Sequence, residues 1–214
     1  MIYTREELLY LVNRLGILPF FRNSIPGWSV EEQISPEIWF TEQEGPWEWK
    51  GQMARERDCV YGKFFQKKNA WVSLDLFPHL CNYRRNGYDF EGMCEDGLVP
   101  YRDMQLMNYL LSRLPMQSKD ARRMGPVQKG YDASLTRLQM QTFLINQDFV
   151  YSLDKHGRPY GWGNALLTTP EHWLGQQIVD GAGCSPDDSL RFMGAHLHGA
   201  LPHIPEKAFI EALR

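Results

Sequence analysis

Residues 135–163 read LTRLQMQTFLINQDFVYSLDKHGRPYGWG, and the fold turns on how this stretch is divided. Leu135, Leu138 and Thr142 recur at helical spacing, with Met140 and Gln141 further round, so the stretch begins as a helix entered near Asp132 or Ser134. From Phe143 polar and apolar residues alternate. Ile145, Gln147, Phe149 and Tyr151 would line one face of a strand, and Asn146, Asp148 and Val150 the other. Lys155-His156-Gly157-Arg158-Pro159 is a turn in which Gly157 supplies the positive φ. Tyr160 to Thr168 returns as a second strand. A helix followed by a hairpin is either the reading helix and wing of a winged-helix unit or a helix packed on a hairpin.

The preceding residues favour the winged helix. Tyr101 to Pro115 places Met104, Met107, Leu110, Leu111 and Leu114 on one helical face, with Pro115 as its end. SKDARRMG follows as a short helix with Ser118 as N-cap and Gly125 as stop. With the helix above, this makes three helices in about 40 residues, a helix-turn-helix pattern.

Outside this block, Thr4 and Glu7 form a capping box for a helix over 3–15, whose face is Leu8, Leu11, Val12 and Leu15 and whose stop is Gly16. Residues 19–50, rich in Pro, Gly and Trp, read as ordered but irregular, entering a short helix over 50–57. Residues 59–65 and 71–77 read as strands joined by a QKKNA turn. Residues 78–100 read as irregular or partly helical. Thr169 caps a helix starting at Pro170, and Asp187 and Asp188 begin another after Ser185. The expected fold class is α+β: a winged helix-turn-helix (three helices plus a β-wing) at 101–175, a smaller β-containing N-terminal lobe at 1–100, and C-terminal helices at 176–214, the three either separate or one compact unit.

A chain of 214 residues, 43% hydrophobic and 13% aromatic, has material for a sizeable core. It contains no apolar run of membrane-spanning length, and its N-terminus reads as an amphipathic helix instead of a signal peptide. The cytosol is the expected compartment. Cys59, Cys81, Cys94 and Cys184 form no C-x-x-C pair and read as reduced thiols. His196 and His198 are two apart and diverge on a helix, so with His203 they form no zinc pattern. No metal or other cofactor is expected.

Net charge is −3, yet residues 101–140 carry Arg102, Arg113, Lys119, Arg122, Arg123, Lys129 and Arg137 against Asp103, Asp120 and Asp132. Such a patch on an acidic protein can draw a polyanion, and it also fits a solvated helical face. Read as a DNA binder, the third helix offers Lys129, Ser134, Arg137, Gln139 and Gln141, types that read base edges or hold phosphates. The wing offers Lys155, His156 and Arg158, and the middle helix Lys119, Arg122 and Arg123 for the backbone. DNA is therefore the expected partner. The tryptophans fit a core better than a wedge. Glu48, between Trp47 and Trp49, reads either as a desolvated acid or as a partner of Lys50 or Arg55. Cys94 has no adjoining base.

The stretches PWEWKGQMARERDCVYGKFF and LTRLQMQTFLINQDFVYSLDKHGRPYGWGNALLTTPEHWLG, with Pro46-Trp47-Glu48-Trp49-Lys50 and Tyr160-Gly161-Trp162 as their most specific phrases, resemble a bacterial family related to the AlkZ-type winged-helix DNA glycosylases. The resemblance covers roughly residues 40–214. It implies a chain of winged-helix units and the excision of alkylated bases, with a Gln-x-Gln pair holding the attacking water. Residue by residue it points to Gln139 and Gln141 as catalytic candidates, although in the enzymes that pair lies near the N-terminus. On a helix two such residues diverge by about 200°, so a shared site requires the third helix to end by Leu138. The readings left open are a DNA-binding protein connected with repair, a glycosylase acting on alkylated bases, and a protein-interaction or small-ligand module.

Overall fold

The computed structural model describes residues 1–39 and 44–214. In chain order the elements are α1 (Arg5–Leu15), β1 (Ile17–Pro19), α2 (Val30–Gln33), a 3₁₀ turn (Pro36–Ile38), α3 (Pro46–Arg55), β2 (Val60–Phe65), β3 (Lys68–Val72), α4 (Phe77–Arg85), α5 (Phe90–Glu95), α6 (Tyr101–Leu111), β4 (Met116–Gln117), α7 (Ser118–Met124), α8 (Tyr131–Met140), β5 (Ile145–Leu153), β6 (Pro159–Thr168), α9 (Pro170–Leu174), α10 (Gln176–Val179), α11 (Pro186–Ala200) and α12 (Glu206–Leu213).

The fold is α+β, built on one antiparallel six-stranded sheet ordered β1-β3-β2-β5-β6-β4. Its two halves meet at a narrow seam, where β2 and β5 are paired only through Tyr61 and Asn146. The buried apolar residues form two clusters. One joins α1, the N-terminal strands and α4 to α11 and α12, around Trp28, Phe64, Trp71, Phe77 and Phe209. The other joins α6, α7 and α8 through Leu106, Leu110, Ala121, Tyr131, Leu138 and Phe143. The C-terminal helices thus share a core with the N-terminal residues.

The Thr4–Glu7 capping box forms, and Gly16 ends α1 with φ 76°. Thr169 caps α9 by accepting from His172 N, and Ser185 caps α11 by accepting from Asp188 N. Several boundaries differ from the sequence reading. The helix expected over 50–57 starts at Pro46, because Pro fits the first helical position and Glu48 folds back to accept from Gly45 N. The QKKNA turn contracts to Gln66 and Lys67, both at positive φ, and the second strand runs Lys68–Val72. Phe77 opens α4 instead of closing a strand. Asp103, Leu106, Met107 and Leu110 form the buried face of α6, while Leu111 is exposed. Ser118 is the first residue of α7 and Gln117 its cap. Register shifts at Asn146/Asp148 and Val150/Ser152 break the simple alternation expected along β5, since a bulge changes which face the following residues occupy.

Candidate functional site

The middle of the chain is ordered α6–β4–α7–α8–β5–β6, and β4 lies antiparallel to β6, Met116 opposite Leu167 and Gln117 opposite Leu166. The two-residue strand β4 had no periodic signal in the sequence. It draws α7 against the base of the β5–β6 hairpin.

The structure distributes the expected DNA contacts unevenly. Lys119, Lys129, Lys155 and His156 are exposed, with no ion pair among the described residues. Arg122 is paired with Asp132 and faces the Tyr131 ring, and Arg123 pairs with Asp120 at 3.2 Å. Arg158 pairs with Asp154 at 3.1 Å. That carboxyl also caps the turn, accepting from His156 N and Arg158 N, and the latter bond leads in holding its pKa below the usual carboxylate range. These are solvent-facing pairs, which contribute little and can yield to phosphate. Arg137 differs: its Nε and Nη2 each donate at 2.6 Å to the fully buried carboxylate of Asp103, fastening α8 to α6. Ser134 is fully buried on the same turn.

Gln139 and Gln141 are not brought together. The α8 helix continues to Met140, past the Leu138 limit a shared face needs. Gln139 is buried at the seam of the sheet. Its Nε2 donates to Asn146 Oδ1 at 2.7 Å and its Oε1 accepts from Lys63 N at 3.1 Å. It bridges β2 and β5 where their backbone pairing is sparse. Gln141 follows the helix, its Oε1 buried without a partner among the described residues.

A second feature gathers PWEWK and YGW, phrases separated by more than a hundred residues. Gly51 lets α3 close on β5: a Cβ there would stand 3.2 Å from Asp148 Oδ1 and 3.6 Å from Phe149 Cβ. Beside this contact Trp47 meets Trp162 edge to face at 5.1 Å and Trp39 edge to face at 5.9 Å, and lies tilted against Phe20 at 4.8 Å. Trp28 and Trp71 are fully buried as core, but Trp162 is 74% exposed. Trp47, Glu48, Lys50, Tyr151 and Trp162 line a cavity of about 310 Å³. Lys50 Nζ donates to Trp47 O and lies 4.4 Å from the centre of the Phe149 ring. Burial pushes its ammonium down to about 8, against the upward pull of Glu48. Tyr151 Oη donates to the same carbonyl at 3.2 Å, and burial raises its pKa. The sequence reading allowed a small-ligand module in the aromatic N-terminal lobe but did not join Trp47 to Tyr151 and Trp162 of the hairpin.

No group of three or more potential metal ligands occurs among the described residues, and no helix among them is long and apolar enough to cross a membrane.

The model of the AlkZ-related family matches residues 2–214, and the chain belongs to that family. Neither a curated protein nor a solved structure matches it.

Proposed function

We propose that the chain is a DNA-binding protein connected with DNA repair, and that α6–β4–α7–α8–β5–β6 works as a winged helix-turn-helix within a DNA-binding unit at residues 101–175. The observation that carries the reading is the pairing of β4 with β6. It sets α7, with Lys119, Arg122 and Arg123, against the base of a hairpin whose tip carries Lys155, His156 and Arg158, and Lys129 lies in the turn after α7. Membership of the AlkZ-related family supports the link to repair.

The outward face of α8 is poor in groups that read base edges. Asp132, Ala133 and Arg137 are its exposed residues, and Arg137 is held by Asp103. The cations on either side are suited to phosphates, so binding is expected to tolerate sequence. Base excision by Gln139 and Gln141 is less favoured, because Gln139 is already committed to Asn146 and Lys63.

Fluorescence anisotropy of a labelled duplex over a salt series tests the reading. Wild type should lose affinity steeply with salt, and Arg122→Ala/Arg123→Ala should flatten the log–log slope by about 2, near 0.9 for each phosphate contact. A duplex that does not bind at low salt would sink it, leaving a protein-interaction or small-ligand module.

A further inference from the structure

The packing of α4 against the start of α11 assembles a second group of polar side chains that the DNA-binding reading does not use. Cys184 is an exposed free thiol, unlike Cys59 and Cys81, which are buried. Its Sγ lies 3.3 Å from Ser189 Oγ and 3.9 Å from His79 Nδ1. Ser189 is fully buried, and its Oγ is also 3.2 Å from His79 Nδ1. Asn82 Nδ2 donates to Ser189 Oγ at 2.8 Å and to Cys184 O at 2.8 Å.

Counting donors limits the group to two arrangements. A serine hydroxyl has one hydrogen and two lone pairs. Asn82 can only donate through Nδ2, so it fills one lone pair of Ser189. With the His79 proton on Nε2, the second accepts the Cys184 S–H and the serine hydrogen goes to His79 Nδ1; with that proton on Nδ1, both bonds reverse. The His79 ring is stacked on Phe192 with centres 4.2 Å apart. Burial lowers its pKa, which favours the neutral imidazole.

The thiol borders a cavity of about 640 Å³. Its charged lining is Arg85, Asp89, Glu171 and Asp180. Arg85 and Glu171 pair at 2.6 Å and offset each other, leaving Asp89 and Asp180 to make the mouth negative.

We propose that Cys184 is a nucleophilic thiol whose proton passes through Ser189 to His79, and that the adjoining cavity admits small electrophiles that are neutral or positively charged. With an alkylating electrophile, Sγ forms a bond to carbon, the carbon–leaving-group bond breaks with its electron pair, and the thiol proton ends on His79. With a thiosulfonate, Sγ forms a disulfide to the sulfenyl sulfur and sulfinate departs. Neither route needs a further oxidant or reductant. Cys184 is the reacting group, and Ser189 and His79 act through it.

The test is the rate at which the intact protein is labelled at Cys184 near neutral pH, read by peptide mass spectrometry. Iodoacetamide is the neutral probe, and a matched pair of methanethiosulfonates, one carrying a quaternary ammonium and one a sulfonate, reads the charge of the mouth. His79→Ala and Ser189→Ala should each slow iodoacetamide labelling about tenfold, less than the roughly 10²–10⁴ that positioned proton transfer contributes in enzymes. Added imidazole should restore His79→Ala and leave Ser189→Ala slow. The cationic thiosulfonate should outpace the anionic one severalfold in wild type, and Asp180→Asn should narrow that gap. Circular dichroism of each variant checks the fold. Equal iodoacetamide rates in wild type and both variants would reduce Cys184 to an ordinary surface thiol. A loss in His79→Ala that imidazole does not restore would make His79 a packing residue, and either result overturns the relay. An absent charge preference overturns the assignment of the cavity. Because no DNA is used, these outcomes are independent of duplex binding.

Discussion

On α7, α8 and the hairpin turn the arginines each have a carboxylate beside them, whereas in the pocket between α3 and the hairpin the cation lies against aromatic rings. Arg122, Arg123, Arg137 and Arg158 are each matched to an aspartate. Lys50 instead packs on Phe149 and Trp47 and donates to a backbone carbonyl. Exposed pairs exchange readily with other anions. A buried amine against aromatic faces is held in place, and its protonation depends on its surroundings. A basic count in the sequence therefore overstates the charge free for a partner, while a lysine in an aromatic phrase marks a site the count does not see.

The comparison can be broken first at Arg137. Arg137→Ala strands the buried Asp103 carboxylate, so stability measured by urea unfolding should fall by about 3 kcal/mol. A loss near zero would place Asp103 within reach of water and make this pair like its neighbours.

Lys50 gives the next effect. Its folded pKa of about 8 lies below the ordinary 10.5, so between those values the unfolded chain binds more protons, and stability rises with pH across that window. The penalty on the charged form is fully present below about pH 8 and is relieved above it. Relative to Lys50→Met, wild type should gain on the order of 2 kcal/mol from pH 8 to pH 10.5 in paired melts. The buried Cys59, Cys81 and Tyr61, whose raised pKa values work in the opposite sense, are common to both proteins and cancel. A flat difference would show that the amine is solvated.

Gln139→Ala should cost about 2 kcal/mol by leaving Lys63 N and Asn146 unpaired at the seam. Hydrogen exchange should rise in β2 and β5 and stay unchanged in β3. A variant of wild-type stability would free Gln139 for another role. The smallest effect belongs to Arg122→Ala, within about 1 kcal/mol in stability, even though the same residue should alter the salt dependence of duplex binding.

Local chemistry made much of the fold legible. The capping box at Thr4–Glu7, the stops at Gly16 and Gly125, the turn at Gly157 and the Thr169 cap each depend on residues a few positions apart, and each is found as read. The family phrases led to the AlkZ-related family, whose model spans residues 2–214. Element boundaries drifted where a contact from elsewhere competed. The β-branched and aromatic run through Phe77 reads as strand, but Phe77 is buried with Phe64 and opens α4.

By itself, then, the sequence determined many of the helical and extended segments, though not α4, α5, β1 or β4, where several of them are capped, and which family the chain belongs to, because these rest on periodicity, nearby hydrogen bonds and recognisable phrases. Only the tertiary structure decided that β4 reaches β6, that Gln139 bridges β2 and β5, that Asp103 claims Arg137, and that Cys184 meets His79 more than a hundred residues away. Those outcomes depend on which distant groups burial brings within about 3–4 Å, and no local pattern in the chain encodes that distance.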